Sequence, residues 1–277
     1  CSILYPEGEN WSFKDLQISR SIFIPKNKAN TVRFIVSRIS EQKFKAVVRS
    51  EDSNFEITCF EATIDFSESL ENSKISLIES ANLQELNLNI DDDFYDNLLF
   101  HSGPFRRIKS FYHIHALESL ARATSNTSDQ WFDSFISEQK LLGDPGLNDA
   151  AIHCHQACRP GQQLLPTGAT EVYFNPKVTQ GPFFIKTEEL KEEGSDTWIN
   201  VYVVNGEGEI KSSWKNLVLT QVTGKACNRN WIPELLVPYI EYQIIHNSGD
   251  RTVRLSPENC RDMLDDLSDQ STSKACQ

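Results

Sequence analysis

Between residues 11 and 66 the chain alternates apolar and polar positions in several short runs. The runs TVRFIVSRI, KFKAVVRS and FEITCFEATIDF are rich in β-branched and aromatic residues, and short polar stretches separate them. Alternation with a period of two is typical of strands that bury one face and expose the other. The first part of the chain therefore predicts an antiparallel sheet.

The pattern changes at residues 143–156, GDPGLNDAAIHCHQ, where a turn precedes small and apolar residues at helical spacing. Long strand patterns follow this predicted helix, and VYVVNGEGEI is typical of a hairpin with an Asn-Gly turn. The second part therefore predicts antiparallel strands curved around one buried, alanine-rich helix, which is the hotdog arrangement. Two segments are less regular. Residues 67–93 predict loop or short helix, and NWIPELLVPYIEYQIIH predicts a helical or irregular segment broken by two prolines.

Composition narrows the class of protein. The chain has 277 residues, of which 39% are hydrophobic, so it can form a packed core. Its net charge of −12 argues against a nucleic-acid or anionic-membrane partner, and no run approaches the ~20 apolar residues of a membrane span. The seven cysteines are odd in number and form no CxxC pair, which favours a reducing, cytoplasmic location.

The predicted helix has a chemically unusual face. Asp149, Ile152, His153 and Gln156 are spaced i, i+3, i+4 and i+7, which places them on one side. Two interpretations fit this window. Either Asp149 caps the helix and His153 is a hydrogen-bonded core histidine, or the two form an acid–base pair.

A metal site in the same helix is the less favoured interpretation. Its ligands would come from His153, Cys154, His155 and Cys158. His153 and His155, however, project about 200° apart on a helix and cannot share an ion. We therefore expect no metal and no bound cofactor.

Residues 141–175, which contain LLGDPGLNDAAIHCHQACRPGQQLLPTGATEVYF, resemble the second hotdog of polyketide synthase dehydratase domains. That family carries a D-x-x-x-(Q/H) motif in its second hotdog helix, which corresponds here to Asp149 and His153. LLPTGA, with Pro166, is similar to the Leu-Pro segment after that helix. Upstream, LLFHSGPFRRI resembles the family's Tyr-Gly-Pro-x-Phe motif without its tyrosine. The sequence of this stretch is most similar to dehydratases of iterative synthases that make enediyne polyenes. Its second strongest similarity is to the dehydratases of polyunsaturated fatty acid synthases.

The resemblance implies an α+β double hotdog, with two antiparallel sheets that each wrap a central helix. Residues 1–100 would form the end of the first hotdog, 101–249 the second, and 250–277 an acidic helix and tail. The implied partners are an acyl carrier protein, whose phosphopantetheine carries the substrate, and neighbouring synthase domains. A homodimer is also expected.

The implied reaction is loss of water from a 3-hydroxyacyl chain. Asp149 would protonate the leaving hydroxyl, its pKa raised by burial in an apolar tunnel, and His153 would hydrogen-bond it. The expected substrate-binding residues are Gly103, Pro104, Phe105, Gln156 and Pro166. The basic run FRRIK at residues 105–109 is either a solvated strand face or a contact for the carrier protein.

The family's base lies in an H-x-x-x-G-x-x-x-x-P motif that none of the six histidines begins. His101 and His113 are the possible substitutes, although a structural role is the simpler interpretation of each. The chain also begins at Cys1, so we expect the first hotdog to be incomplete at its start and its base and helix to lie upstream. Two other functions remain open: a hotdog acyl thioesterase, and an inactive double hotdog used for docking or dimerisation.

Overall fold

The computed structural model describes residues 11–24, 26–67, 74–75, 84–126, 128–131, 140, 142–175, 177–222 and 231–261. Within them, ten strands form one antiparallel sheet: β1 (Ser12–Ile18), β2 (Val32–Arg38), β3 (Lys43–Ser50), β4 (Thr58–Asp65), β5 (Ile108–Ile114), β6 (Glu118–Ala123), β7 (Gln163–Phe174), β8 (Phe183–Glu193), β9 (Asp196–Asn205) and β10 (Ile210–Val222). The helices are α1 (Asp96–Leu98), α2 (Pro145–His153) and α3 (Pro233–Ser248). The strand order is β2-β3-β4-β1-β7-β10-β9-β8-β6-β5.

The first four strands confirm the antiparallel sheet that the alternation predicted. Their apolar side chains form a small core around Phe44, Ile64 and Phe66. Strand β2 lies at the edge of the sheet, and its Phe34 is 78% exposed. The strands before residue 101 are thus ordered as a sheet but contain only a minor part of the buried apolar surface.

The main core lies in the other six strands and is built around α2. Leu147, Ala150 and Ala151 of α2 are fully or almost fully buried. A 3₁₀ turn, Cys154–Cys158, extends the helix and packs against β5, β6 and β8. Small side chains let the helix approach the sheet closely, so the predicted alanine-rich buried helix is confirmed.

Strands β1 and β7 pair and join the two groups of strands into one sheet. The pairing brings Leu16 close to Gly168, where any Cβ would lie 2.7 Å from the Leu16 carbonyl oxygen. A side chain at this position would therefore push the two strands apart.

The segment around α3 confirms the helical alternative, but the expected break at the two prolines is wrong. It is one continuous helix, because Pro233 occupies its first turn, where the N–H would have no helical partner. Pro238 lies inside the helix and removes one internal hydrogen bond, but it is buried against the core. The described part of residues 67–93 includes the start of a π-helical turn, Ile90–Tyr95, that leads into α1. None of the described helices has the length and apolar character needed to cross a membrane.

Candidate active site

Helix α2 begins at a well-defined cap. Asp144 is the N-cap and accepts a hydrogen bond from the Gly146 N–H at 3.0 Å, while Pro145 takes the first helical position. The buried Asp144 carboxylate also accepts from Asn126 N–H at 2.9 Å and pairs with Arg107 at 3.0 Å. Since Asp144 caps the helix, the alternative in which Asp149 serves as the cap is wrong.

The start of α2 is also packed tightly against the chain segment before β5. A Cβ on Gly146 would lie 2.2 Å from the Pro104 carbonyl oxygen and 2.8 Å from Arg107 Nε. We expect Gly146→Ala to destabilise the fold by about 1–3 kcal/mol, because backbone must move to relieve the overlap. Gly206→Ala is the matched control, since its Cβ would meet only Pro182 Cγ at 4.0 Å. Denaturant unfolding of both variants would measure this, and equal stabilities would contradict the tight contact.

Three side chains converge on the side of α2 that faces the segment between α1 and β5. His101 Nε2 lies 3.1 Å from Asp149 Oδ2, and His153 Nδ1 lies 3.2 Å from the same oxygen. His153 is one turn after Asp149 on the helix, whereas His101 comes from the segment between α1 and β5. The predicted hydrogen bond between His153 and Asp149 is therefore present, and His101 adds a second one.

The pKa of the Asp149 carboxyl differs from the expectation that burial would raise it. Burial alone would raise the pKa of this carboxyl, but hydrogen bonds from His101 and His153 outweigh it and hold the pKa at about 2. The prediction of a raised pKa for Asp149 is thus wrong for this arrangement. The reason is that the helix face supplies one imidazole and the opposite wall supplies another, so the carboxylate is solvated by two N–H donors.

The ionised carboxylate fixes the tautomers of both histidines. Because a carboxylate only accepts hydrogen bonds, the proton of each imidazole lies on the nitrogen that faces Asp149. The other ring nitrogens, His101 Nδ1 and His153 Nε2, are buried and have no hydrogen-bond partner among the described residues. Burial also lowers the pKa of His153, despite the neighbouring Asp149. The site therefore presents two ring nitrogens that have no hydrogen-bond partner among the described residues, beside one carboxylate.

These side chains line a cavity of about 420 Å³. Its wall is mostly apolar, and the lining residues are Leu98, Leu99, Phe100, His101, Ser102, Phe105, Asp149, Ile152, His153, Gln156, Gln163, Leu164, Leu165, Pro166 and Leu219. An apolar cavity with a few convergent polar groups is typical of a small-molecule site. The predicted cavity beside the Asp149 face of the helix is confirmed.

Of the five residues expected to bind substrate, Phe105, Gln156 and Pro166 line the cavity, and Gly103 and Pro104 do not. Gly103 has a φ of +56° and begins the 3₁₀ turn Gly103–Phe105. Pro104 contacts the start of α2 at Gly146. Gly103 and Pro104 shape the turn that positions Phe105, and their assignment as substrate-binding residues stays a prediction.

Gln156 reaches the cavity, but its amide is fully occupied by the backbone. Its Nε2 donates to the carbonyl oxygens of Arg159 and Gln162, at 2.8 and 2.6 Å, and its Oε1 accepts from Leu164 N–H at 3.1 Å. The side chain thus connects the end of the helix to the start of β7. It fixes the leucine wall rather than offering a free polar group.

The other candidate histidines lie away from the cavity. His155 is fully buried on the opposite side of the helix and hydrogen-bonds Thr187 at 3.1 Å, as its projection predicted. Burial alone would lower its pKa, but Cys158 and Glu189 raise it to about 9. His113, which lies in β5, stacks on His115 and does not line the cavity. Of the two histidines considered as substitute bases, only His101 reaches the site.

Most basic side chains of residues 105–109 form ion pairs with acidic residues of the same fold. Arg106 pairs with Asp96, and Arg107 is buried between Asp129 and Asp144. Lys109 alone keeps an exposed amine without a carboxylate partner among the described residues. The role of this run as a contact for a carrier protein stays a prediction.

Two features of the site had no clear sequence signal. His101 could be considered only as one of several histidines, because its neighbour Asp149 is distant in the chain. The sequence did not distinguish the cavity-lining leucines of α1, β7 and β10 from leucines of the hydrophobic core. Within the described residues, His101, Asp149 and His153 are also the group whose ligand atoms lie close enough, all within 4.8 Å, to hold a metal ion.

Comparison with known proteins identifies relatives. The family model described as "Polyketide synthase dehydratase N-terminal domain" matches residues 79–228. Among solved structures, the chain is similar to the dehydratase domain from the CurF module of curacin polyketide synthase, with 17% identity, 80% of each chain covered and a TM-score of 0.61. An inactive mutant of the CurJ dehydratase, solved in complex with a compound, has 15% identity, coverage of 80% of this chain and 78% of that one, and a TM-score of 0.64. These similarities confirm the hotdog fold. No curated protein matches the chain.

Proposed function

Because the chain belongs to the polyketide synthase dehydratase family, we propose that it eliminates water from a 3-hydroxyacyl chain carried by an acyl carrier protein. The observation that carries this proposal is the contact between His101 and Asp149, 3.1 Å apart, at the wall of an apolar cavity. Elimination requires a base for the α-proton and a donor for the leaving hydroxyl, and these two side chains supply both.

His101 is the proposed base. Its Nε2 donates to Asp149, which leaves the lone pair of Nδ1 without a partner among the described residues. An imidazole oriented by a carboxylate on one nitrogen can accept a proton on the other, and the carboxylate stabilises the cation that forms. In this role Nδ1 takes the α-proton of the bound acyl chain.

Asp149 then transfers the proton to the leaving group. Both histidines contact Oδ2, so Oδ1 is free of hydrogen bonds from the described residues and can meet the substrate hydroxyl. The imidazolium passes its Nε2 proton to Asp149 Oδ2, and Oδ2 gives it to the hydroxyl oxygen as the C–O bond breaks, so the hydroxyl leaves as water. One proton leaves carbon and one reaches oxygen, so atoms and charge balance. His101 ends the step with its proton on Nδ1 and regains the Nε2-protonated tautomer by proton exchange with water. His153 holds the carboxylate in place through its own N–H.

The leucine-rich wall supports an apolar acyl chain as the substrate. The resemblance of residues 141–175 to enediyne and polyunsaturated fatty acid synthases supports an iterative synthase that makes an unsaturated product. In this proposal the chain is part of a double hotdog in a cytoplasmic multidomain synthase, with the carrier protein and neighbouring domains as its partners and a homodimer as its assembly.

The test is turnover of a 3-hydroxyacyl thioester by the purified 277-residue chain, followed by mass spectrometry of the enoyl product. We expect His101→Gln to reduce the rate by about 10²- to 10⁴-fold, the usual value of a general base. His246→Gln is the control, because His246 is exposed on α3 and remote from the cavity lining.

Each other result points elsewhere. Release of free acid instead of enoyl product would favour a thioesterase. A folded chain that binds the thioester without converting it would favour a docking domain. Full activity in His101→Gln would mean that another group takes the α-proton.

A further inference from the structure

We propose that His101, Asp149 and His153 form a reversible zinc site, and that zinc bound there inhibits the enzyme. Binding is a property of the three side chains alone. The inhibitory effect rests on the proposed function, since it requires an elimination reaction to inhibit. No described histidine, cysteine or acidic residue outside these three belongs to such a cluster.

The spacing of the donor atoms suits a small divalent ion. His101 Nε2 and His153 Nδ1 lie 3.1 and 3.2 Å from Asp149 Oδ2, and all three atoms lie within 4.8 Å of one another. Zinc bonds to imidazole nitrogen and carboxylate oxygen are ~2.0–2.2 Å long, which separates ligand atoms in a tetrahedral site by about 3.3 Å. The two contacts to Asp149 already have nearly this separation, and the two imidazole nitrogens lie at most 4.8 Å apart before an ion binds.

The donor set and the surroundings favour zinc. Two imidazoles and one carboxylate suit zinc, whereas magnesium and calcium prefer sites made of oxygen atoms. Three protein ligands with one open position are typical of zinc sites that exchange water or small molecules. All three side chains line the cavity, so the fourth position opens into it.

The same structure predicts moderate affinity. Once Nε2 of His101 and Nδ1 of His153 coordinate the ion, each ring must carry its proton on the opposite nitrogen. Those nitrogens have no acceptor among the described residues. Loss of such outer hydrogen bonds typically weakens metal binding by about 10- to 100-fold. Zinc should therefore bind and leave readily.

Zinc and the elimination reaction compete for the same atoms. An ion on Asp149 Oδ2 and His101 Nε2 replaces the hydrogen bond through which the proposed proton transfer runs. It also occupies the part of the cavity that the substrate hydroxyl must reach. Zinc is thus expected to inhibit rather than to activate.

The binding experiment uses the metal alone. Zinc is titrated calorimetrically into the chelator-treated 277-residue chain, and cobalt is added separately to record the absorption bands of a tetrahedral site. We expect one ion per chain, with at least tenfold weaker binding in both His153→Gln and Asp149→Asn. His246→Gln should bind normally. Circular dichroism shows whether each variant is folded. Absence of saturable binding, or unchanged binding in either folded variant, would overturn the site.

The activity experiment separates this inference from the proposed function. Turnover is first measured with chelator, where it tests the dehydratase alone, and then across the zinc range found by calorimetry. Loss of turnover that follows zinc occupancy and is reversed by chelator supports the inference. Turnover that zinc leaves unchanged or stimulates would overturn the inhibition, even if zinc binds.

Discussion

Replacing Asp149 by asparagine should reduce elimination of water by about 10²- to 10⁴-fold, while the chain remains folded. The amide has nearly the same size as the carboxyl, so the packing around α2 is preserved. It cannot accept a proton from the imidazolium of His101 and pass it to the leaving hydroxyl. It also offers a single oxygen with less charge to the two imidazole N–H groups. The rate of enoyl formation and the unfolding curve of the variant measure the two parts of this prediction.

The control for this variant is Asp91→Asn. The Asp91 side chain is 75% exposed and 3.5 Å from Arg106, so the same chemical change there should leave turnover intact. If Asp149→Asn turned over at the wild-type rate, Asp149 would not carry the proton. If it unfolded, the carboxylate would be needed for the fold, although Asp144 and not Asp149 caps the helix.

The local sequence pattern predicted the strands and helices whose formation depends mainly on neighbouring residues. The alternation of apolar and polar residues in KFKAVVRS coincides with β3, Lys43–Ser50. Successive side chains of a strand point to opposite faces of the sheet, so the pattern depends only on neighbouring residues. The helical spacing in residues 143–156 likewise predicted α2, although its cap is Asp144 and not Asp149. Asp149 and His153 followed from the same helix, since residues four apart meet on one face.

Contacts between distant segments could not be predicted in this way. His101 reaches Asp149 only because the turn at Gly103 and the packing of Pro104 on Gly146 bring two parts of the chain together. The sequence predicted that burial raises the pKa of Asp149, whereas hydrogen bonds from both imidazoles, one of them from the distant His101, lower it. The hydrogen bonds of the Gln156 amide could not be predicted for the same reason, because its partners are backbone groups that only the fold positions.

Loss of one partner in the buried ion pair between Arg159 and Glu189 should produce the largest change in stability. Both side chains are 1% exposed and are hydrogen-bonded to each other, and Arg159 also donates to the Ala116 carbonyl oxygen. Glu189→Gln would leave the buried guanidinium with only the more distant Glu192, 3.8 Å away, as its counter-charge. It would also remove the carboxylate that lies 3.7 Å from His155 Nε2. We expect the free energy of unfolding to fall by about 3–5 kcal/mol. Glu193→Gln is the matched control, because Glu193 is 65% exposed in its pair with Lys191 and should cost less than about 1 kcal/mol.

A double-mutant cycle tests why the pair matters. Arg159→Met alone and Glu189→Leu alone each remove the nearest partner of a buried charge and leave it only partners at 3.7–3.8 Å, so each should be destabilising. Together they replace the pair by apolar side chains of similar volume, and such replacements are often neutral or stabilising. We therefore expect the double variant to be more stable than either single variant, with an interaction energy of about 1–3 kcal/mol. Additive losses in denaturant unfolding would instead mean that the contact of the Arg159 guanidinium with the Tyr242 ring, 4.1 Å from the ring centroid, dominates over the ion pair.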